Sequence, residues 1–280
     1  MKDLQWFPGH MAKTKRQVKE KLKLVDFVIE VLDARAPQSS ENPMIDEIVK
    51  HKPRMVVLTK RDLADPSLVK KWLSYYEKKG YKAIAVNVFN AKEVMSLVPL
   101  SKEVAHQVLA KEARQGRALR PLRAMVLGIP NVGKSTLINQ LVKKRVLNIG
   151  DRPGVTKNVQ MIRIHKELEL MDTPGILWPK FEDQEVAKKL ALLGTLKDHL
   201  IPLDEIAIYG LRYIKNYHEK SFIEKFGFDL DLEDIPLLFE NMAKKLNMLK
   251  KHKEPDYDRV IERFIYDFRA SLYGKVMLDR

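Results

Sequence analysis

The sequence predicts an α/β fold: a six-stranded, mostly parallel sheet with helices on both faces, followed by a second domain built only of helices. Three observations predict it. Apolar runs short enough to be strands alternate with helix-like segments through the first 175 residues, and these runs are too apolar to leave one face in water. A glycine-rich turn separates one such strand from the helix after it. Beyond Trp178 only the three-and-four spacing of amphipathic helices remains. The domains are expected at 1–178, including a basic N-terminal extension over 1–24, and at 179–280.

The extension carries seven Lys/Arg against two acids, with Trp6, Phe7, Pro8, Gly9 and His10 ahead of a helix-like run from Met11 to Leu22. Val25 to Leu32 reads as a strand and runs into Asp33-Ala34-Arg35. Asn42-Pro43 is an N-cap with proline at the first helical position, opening a helix to about His51. Arg54 to Lys60 is the second strand. Asp65-Pro66 starts another helix, which runs to about Lys79 and is closed by Gly80. Tyr81 to Val88 is the third strand, and a helix over Ser101 to Arg114 follows Pro99.

After a basic linker at 114–123 come the strand Ala124 to Leu127, the glycine turn and a helix from Gly133 to Val142. Residues 145–158 read as a loop, and Met161 to Ile164 with Leu168 to Met171 as an antiparallel pair. The later helices are expected over Glu185 to Leu196, Leu203 to Tyr217, Ile235 to Leu249 and Tyr257 to Leu272. In the last, Ile261, Phe264, Ile265, Phe268 and Leu272 share one face.

Composition excludes several function classes. With no cysteine among 280 residues, a disulfide scaffold, a thiolate-ligated metal and a cysteine nucleophile are all ruled out. The chain has no run of about 18 apolar residues and no leader pattern, so an intracellular, cytoplasmic protein is expected. Fifty-one Lys/Arg against 37 Asp/Glu leave a net charge of +14, which favours a polyanionic partner, nucleic acid before anionic lipid.

The sharpest motif is Gly128-Ile-Pro-Asn-Val-Gly133-Lys134-Ser135, the GxxxxGK[ST] pattern between a strand and a helix. Its backbone N–H groups turn inward onto phosphate oxygens, Lys134 reaches the β- and γ-phosphates, and the Ser135 hydroxyl serves Mg²⁺. The helix N-terminus adds its partial positive charge. Asp172-Thr-Pro-Gly175 follows a strand and supplies a metal-side carboxylate at Asp172 and a backbone N–H at Gly175 for the γ-phosphate. Thr156 offers a second hydroxyl to the metal. Thr59-Lys60-Arg61-Asp62 is the candidate base-binding element. An Asp62 carboxylate accepts from guanine N1–H and its 2-amino group, whereas adenine N1 presents a lone pair, so GTP is favoured over ATP.

Together these motifs resemble the circularly permuted GTPases of bacterial ribosome assembly. Familiar GTPases run from the phosphate loop through DxxG to the base motif; here Thr59–Asp62 and a candidate base loop at Asn87-Val88 precede it. The resemblance spans nearly the whole chain, from QWFPGHMAK at 5–13 through DAR at 33–35 to GDRPGVTK at 150–157 and DTPGILWPKFED at 172–183. It implies a circularly permuted P-loop GTPase domain in which Asn131, Val132, Gly133, Lys134, Ser135 and Thr136 hold the nucleotide. It further implies Mg²⁺ on Ser135, Thr156 and Asp172, and a potassium ion beside Asn131.

It also implies a slow hydrolase assembling the large ribosomal subunit, touching ribosomal RNA and nearby ribosomal proteins and leaving on or after hydrolysis. The family's usual first base-motif residue is Asn; here it is Thr59, which is expected to loosen nucleotide affinity while Asp62 keeps specificity. Ile176 stands where a water-orienting glutamine is usual. His10 is the candidate replacement, and beside Trp6 and Phe7 it equally fits a structural histidine. Lys134 is the residue expected to stabilise charge on the transferring phosphoryl group. A membrane-surface regulatory GTPase is the competing reading, but the 11–22 run lacks the broad apolar face that a stable membrane contact needs. A nucleic-acid-binding protein with a structural nucleotide is the third. A monomer is the simplest expectation.

Overall fold

The computed structural model describes residues 16, 18–116, 120–142, 160–173 and 183–280. The chain folds as two units, each with its own core: Asp183–Val276 form one, and Met277–Arg280 rejoin the other.

The first unit is built on a six-stranded sheet in the order β3-β2-β1-β4-β6-β5. Its strands are Phe27–Asp33 (β1), Arg54–Thr59 (β2), Lys82–Ala85 (β3), Leu122–Leu127 (β4), Gln160–His165 (β5) and Leu168–Asp172 (β6). All neighbours are parallel except β5 and β6, the antiparallel pair that the alternation at 161–171 predicts. Every residue of β1 is buried and β2 nearly so, as mostly apolar strands covered on both faces require, and the mid-strand acid of β1, Glu30, is paired with Arg54 at 3.0 Å. The half-exposed β3 takes the edge.

The helices of this unit begin where their caps predict. Asn42 accepts from the Met44 N–H at 2.9 Å to open Pro43–Val49 (α1), and Asp65 accepts from the Ser67 and Leu68 N–H groups to open Pro66–Lys78 (α2). The third helix differs from expectation. The helical path starts at Ala91, capped by Asn90, and runs in three pieces: Ala91–Met95 (α3), Leu97–Val104 (α4) and His106–Arg114 (α5). Pro99 does not precede a helix but sits in the first turn of α4, where its missing N–H has no intrahelical partner to lose. The helix after the glycine turn is Lys134–Val142 (α6).

Most of the predicted 11–22 helix lies outside the described residues; Arg16 and residues 18–21 are helical, and Val18 is buried against Val28, Ile45 and Met125. The predicted loop at 145–158 also lies outside them.

The second unit contains Gln184–Leu192 (α7), Leu203–Tyr217 (α8), Glu219–Phe226 (α9), Ile235–Lys245 (α10) and Tyr257–Arg269 (α11). Helix α9 escapes the sequence reading because it follows α8 after a single-residue break at His218. Three helices end earlier than their apolar spacing suggests, each closed by a left-handed residue: Gly194 (φ 79°), Asn247 (φ 53°) and Ser271 (φ 56°). Leu272 accordingly leaves the predicted stripe and is 54% exposed, whereas Val260, Ile261, Phe264, Ile265 and Phe268 of α11 are buried. Gly210 lets α8 approach closely: a Cβ there would stand 3.0 Å from the Phe264 ring and 3.1 Å from Leu192. The buried Asp267 carboxylate is paired with Lys225 and Arg263.

Candidate functional site

Sheet order reverses between β1 and β4, since β2 and β3 lie to one side and β6 and β5 to the other. Ligands of open α/β sheets bind outside the carboxyl ends of strands at such a switch point. The carboxyl ends here present Asp33 from β1, Thr59 from β2, Gly128 after β4 and Asp172 from β6. Register sets them side by side, with Asp33 opposite Thr59 and Val126 opposite Asp172.

The turn at 128–133 stands between β4 and α6, where the sequence places the candidate phosphate loop. Gly128 has φ 151°, Asn131 φ 59° and Gly133 φ 97°. Glycine is obligatory at 128, where a Cβ would stand 2.4 Å from the Val31 carbonyl oxygen. Lys134 is only 6% exposed and donates to the Ile129 carbonyl at 2.7 Å. Burial pushes its ammonium down to about 8, a shift that the neighbouring Asp172 carboxylate partly opposes. Ser135 and Thr136 follow half-buried in the first turn of α6. Asp172 is fully buried, and next to it the Thr173 hydroxyl donates to the Val126 carbonyl at 2.7 Å. A serine hydroxyl and a buried carboxylate are hard oxygen donors of the kind Mg²⁺ takes.

The base motif touches this loop directly. The fully buried Thr59 hydroxyl is within reach of two carbonyls, Val132 in the loop and Leu32 in β1, with Val132 the closer. Lys60, in the left-handed region at φ 57°, donates to the Asn131 carbonyl at 2.8 Å and to Asp33 Oδ2 at 2.8 Å. Asp62 sits half-buried in the tight turn Arg61–Leu63. The Arg61 N–H donates to the Val86 carbonyl at 3.3 Å, and its guanidinium pairs with Glu93. Glu93 in turn accepts from the Asn87 N–H at 2.7 Å, and the Asn87 side chain accepts from the Phe89 N–H at 2.9 Å. Thus the base motif and the Asn87-Val88 loop are cross-braced, with Val88 buried.

Two residues quoted in the sequence only as part of a motif prove central. Asp33 accepts from the Arg35 backbone N–H and receives a bidentate pair from its guanidinium at 2.9 and 2.8 Å, besides Lys60. Burial alone would raise this carboxyl, but the Arg35 and Lys60 cations outweigh it and hold Asp33 well below the usual carboxylate range. An acid at the end of a buried, mostly apolar strand is the signal that marks it. Asn131, Val132, Gly133, Lys134, Thr59 and Lys60 are therefore brought together; His10, Thr156 and Gly175 lie outside the described residues.

A family model described as a 50S ribosome-binding GTPase matches residues 123–226. The chain is 45% identical over 277 residues to ribosome biogenesis GTPase A of Bacillus licheniformis, covering 99% of this chain and 98% of the relative. It is 35% identical over 297 residues to mitochondrial ribosome-associated GTPase 1 of Mus musculus, covering 99% and 90%. Among solved structures, YlqF from T. maritima is similar in its GNP-bound form, with TM-score 0.63, 29% identity and coverage of 96% and 98%. Its GDP-bound form has TM-score 0.64 at 29% identity, covering 95% and 99%.

Proposed function

The chain belongs to the family of ribosome biogenesis GTPase A proteins, and from that premise we propose that it hydrolyses GTP to GDP and phosphate as an assembly factor for the large ribosomal subunit. The observation that carries the reading is the double contact of the base motif with the phosphate loop: Thr59 on the Val132 carbonyl and Lys60 on the Asn131 carbonyl. Motifs in reversed chain order are thereby held against one another at the carboxyl ends of the strands.

In this reading Asp62 selects guanine, and Asn87 and Val88 flank the base. Gly133, Lys134, Ser135 and Thr136 take the phosphates with Asn131 and Val132. Gly175 gives its N–H to the γ-phosphate. Ser135, Asp172 and Thr156 would hold Mg²⁺, which would supply positive charge against the phosphate oxygens. Lys134, buried at the start of α6, would stabilise charge on the phosphoryl oxygens as water attacks in line. Phosphate oxygens beside the ammonium would raise its proton affinity again.

Ile176 cannot orient water, so turnover is slow until the ribosomal partner engages, with His10 as the group that then positions the water. A potassium ion beside Asn131 supplies positive charge where no arginine finger is assigned. The basic excess of the chain suits ribosomal RNA, and residues 244–280 contribute ten Lys/Arg against six acids.

The test is GTP turnover by the purified protein with and without isolated large subunits, in potassium and in sodium buffers. Stimulation by large subunits and not by small ones is expected. Equal rates in all arms would remove the assembly-factor reading.

A further inference from the structure

After 94 residues in the helical unit the chain returns, and Met277–Arg280 pack as part of the sheet unit. The return is seated on the loop that follows β1. Met277 is fully buried in the cluster containing Leu32, Val56, Leu58, Val69 and Tyr76. The Leu278 N–H donates to the Arg35 carbonyl at 2.7 Å, and the Trp72 indole N–H donates to the Asp279 carbonyl at 2.9 Å. The Asp279 side chain, 5% exposed, accepts from the Ser39 N–H at 2.7 Å and from the Ser39 hydroxyl at 2.6 Å. Two hydrogen bonds to a buried carboxylate are among the stronger contacts a loop can have.

That loop leads to the nucleotide site. Ser40, next to Ser39, accepts from the Asp33 N–H at 3.1 Å and donates to the Ala36 carbonyl at 2.7 Å. Asp33 holds Lys60, and Lys60 holds the phosphate loop at Asn131. Hydrogen bonds joined by the Ser39–Ser40 peptide link and by the backbone and side chain of Asp33 therefore lead from Asp279 through Lys60 to the loop assigned to phosphate. The sequence separates the two ends by 148 positions, from 131 to 279.

We propose that Asp279 is a positioning residue for guanine-nucleotide binding: by clamping Ser39 it fixes the 34–40 loop, and through Asp33 it sets where Lys60 holds the base motif against the phosphate loop. The proposal rests on the nucleotide site assigned above. Because the contacts it governs lie on the base and loop side, the clamp acts on affinity for both GDP and GTP and not on the chemical step.

The experiment is calorimetric titration of the full chain with GDP and with a nonhydrolysable GTP analogue, together with steady-state GTP hydrolysis. Asp279→Ala is expected to weaken both Kd values by about tenfold while kcat at saturating GTP stays within about twofold. Met277 and the backbone bonds of Leu278 and Asp279 keep the segment seated in this variant. Asp279→Asn retains one acceptor for Ser39 and is expected to recover part of the affinity. Ser39→Ala removes the hydroxyl donor alone and is expected to give a smaller loss. A folded Asp279→Ala protein with wild-type Kd values, or one losing kcat at unchanged Kd, overturns the proposal. If that variant does not fold, unchanged Kd values in both Asp279→Asn and Ser39→Ala overturn it. Wild-type protein that binds no guanine nucleotide would instead remove the underlying site assignment, so the two failures are distinguishable.

Discussion

Thr59 performs with one hydroxyl part of the work of the asparagine usual at its position, reaching the Val132 carbonyl from behind the phosphate loop. Fully buried, this hydroxyl faces the Val132 and Leu32 carbonyls. Thr59→Val keeps the volume and loses that bond. It should cost about 1 kcal/mol in denaturant unfolding and weaken GDP binding severalfold by calorimetry. Lys134 carries a pH signature. Its proton affinity in the folded chain falls from that of an ordinary lysine to about 8, so its burial opposes folding at neutral pH, and that penalty fades as pH rises from about 8 toward 10.5. Nucleotide phosphates restore the charge. GDP binding at pH 8.5 should therefore take up a proton, and at pH 6.5 this lysine should contribute no uptake; titrations in buffers of different ionisation enthalpy measure the difference. The turn that carries Lys134 is legible in the sequence because the GxxxxGK spacing marks it. The Asp33–Lys60 pair is not, because only strand register brings partners 27 residues apart into contact.

At the scale of elements, two helix starts were readable from their caps, and three helix ends in the second unit were not. Asn42-Pro43 and Asp65-Pro66 are local signals satisfied within three residues of chain. The ends at Leu192, Lys245 and Arg269 are set by left-handed residues after which apolar side chains still reach a core, as buried Leu196 and Tyr273 do, so the hydrophobic spacing runs on past the helix. Pro99 misleads for a related reason: the residue that breaks a helix interior is tolerated in its first turn. The element on which function depends most is the turn between β4 and α6. Gly128→Ala forces a Cβ against the Val31 carbonyl at a φ that L-residues avoid. It should cost at least about 2 kcal/mol in unfolding and abolish measurable GDP binding, both readable on the same purified variant.

Across the whole molecule, a shifted motif order yields an unshifted site because the sheet, not the chain, arranges the strand ends. Strands β1 and β2 precede the phosphate loop in sequence yet stand beside β4 in the order β3-β2-β1-β4-β6-β5. The alternation of strands and helices makes this sheet legible, and the apolar spacing beyond Trp178 makes the helical unit legible. The return of Met277–Arg280 to the sheet unit was not foreseen, since nothing local distinguishes a short polar-ended segment that packs on its own domain from one that packs on another. The account as a whole depends on a base motif and a phosphate loop acting together on one nucleotide. Titrating wild-type and Asp62→Ala proteins with GDP and with ADP tests this most directly. Wild type should prefer GDP by at least about 100-fold, roughly 2.7 kcal/mol, and Asp62→Ala should lose most of that preference while keeping weak phosphate-dependent binding of both. Equal wild-type affinity for the two nucleotides, or an undiminished preference in the variant, would contradict it.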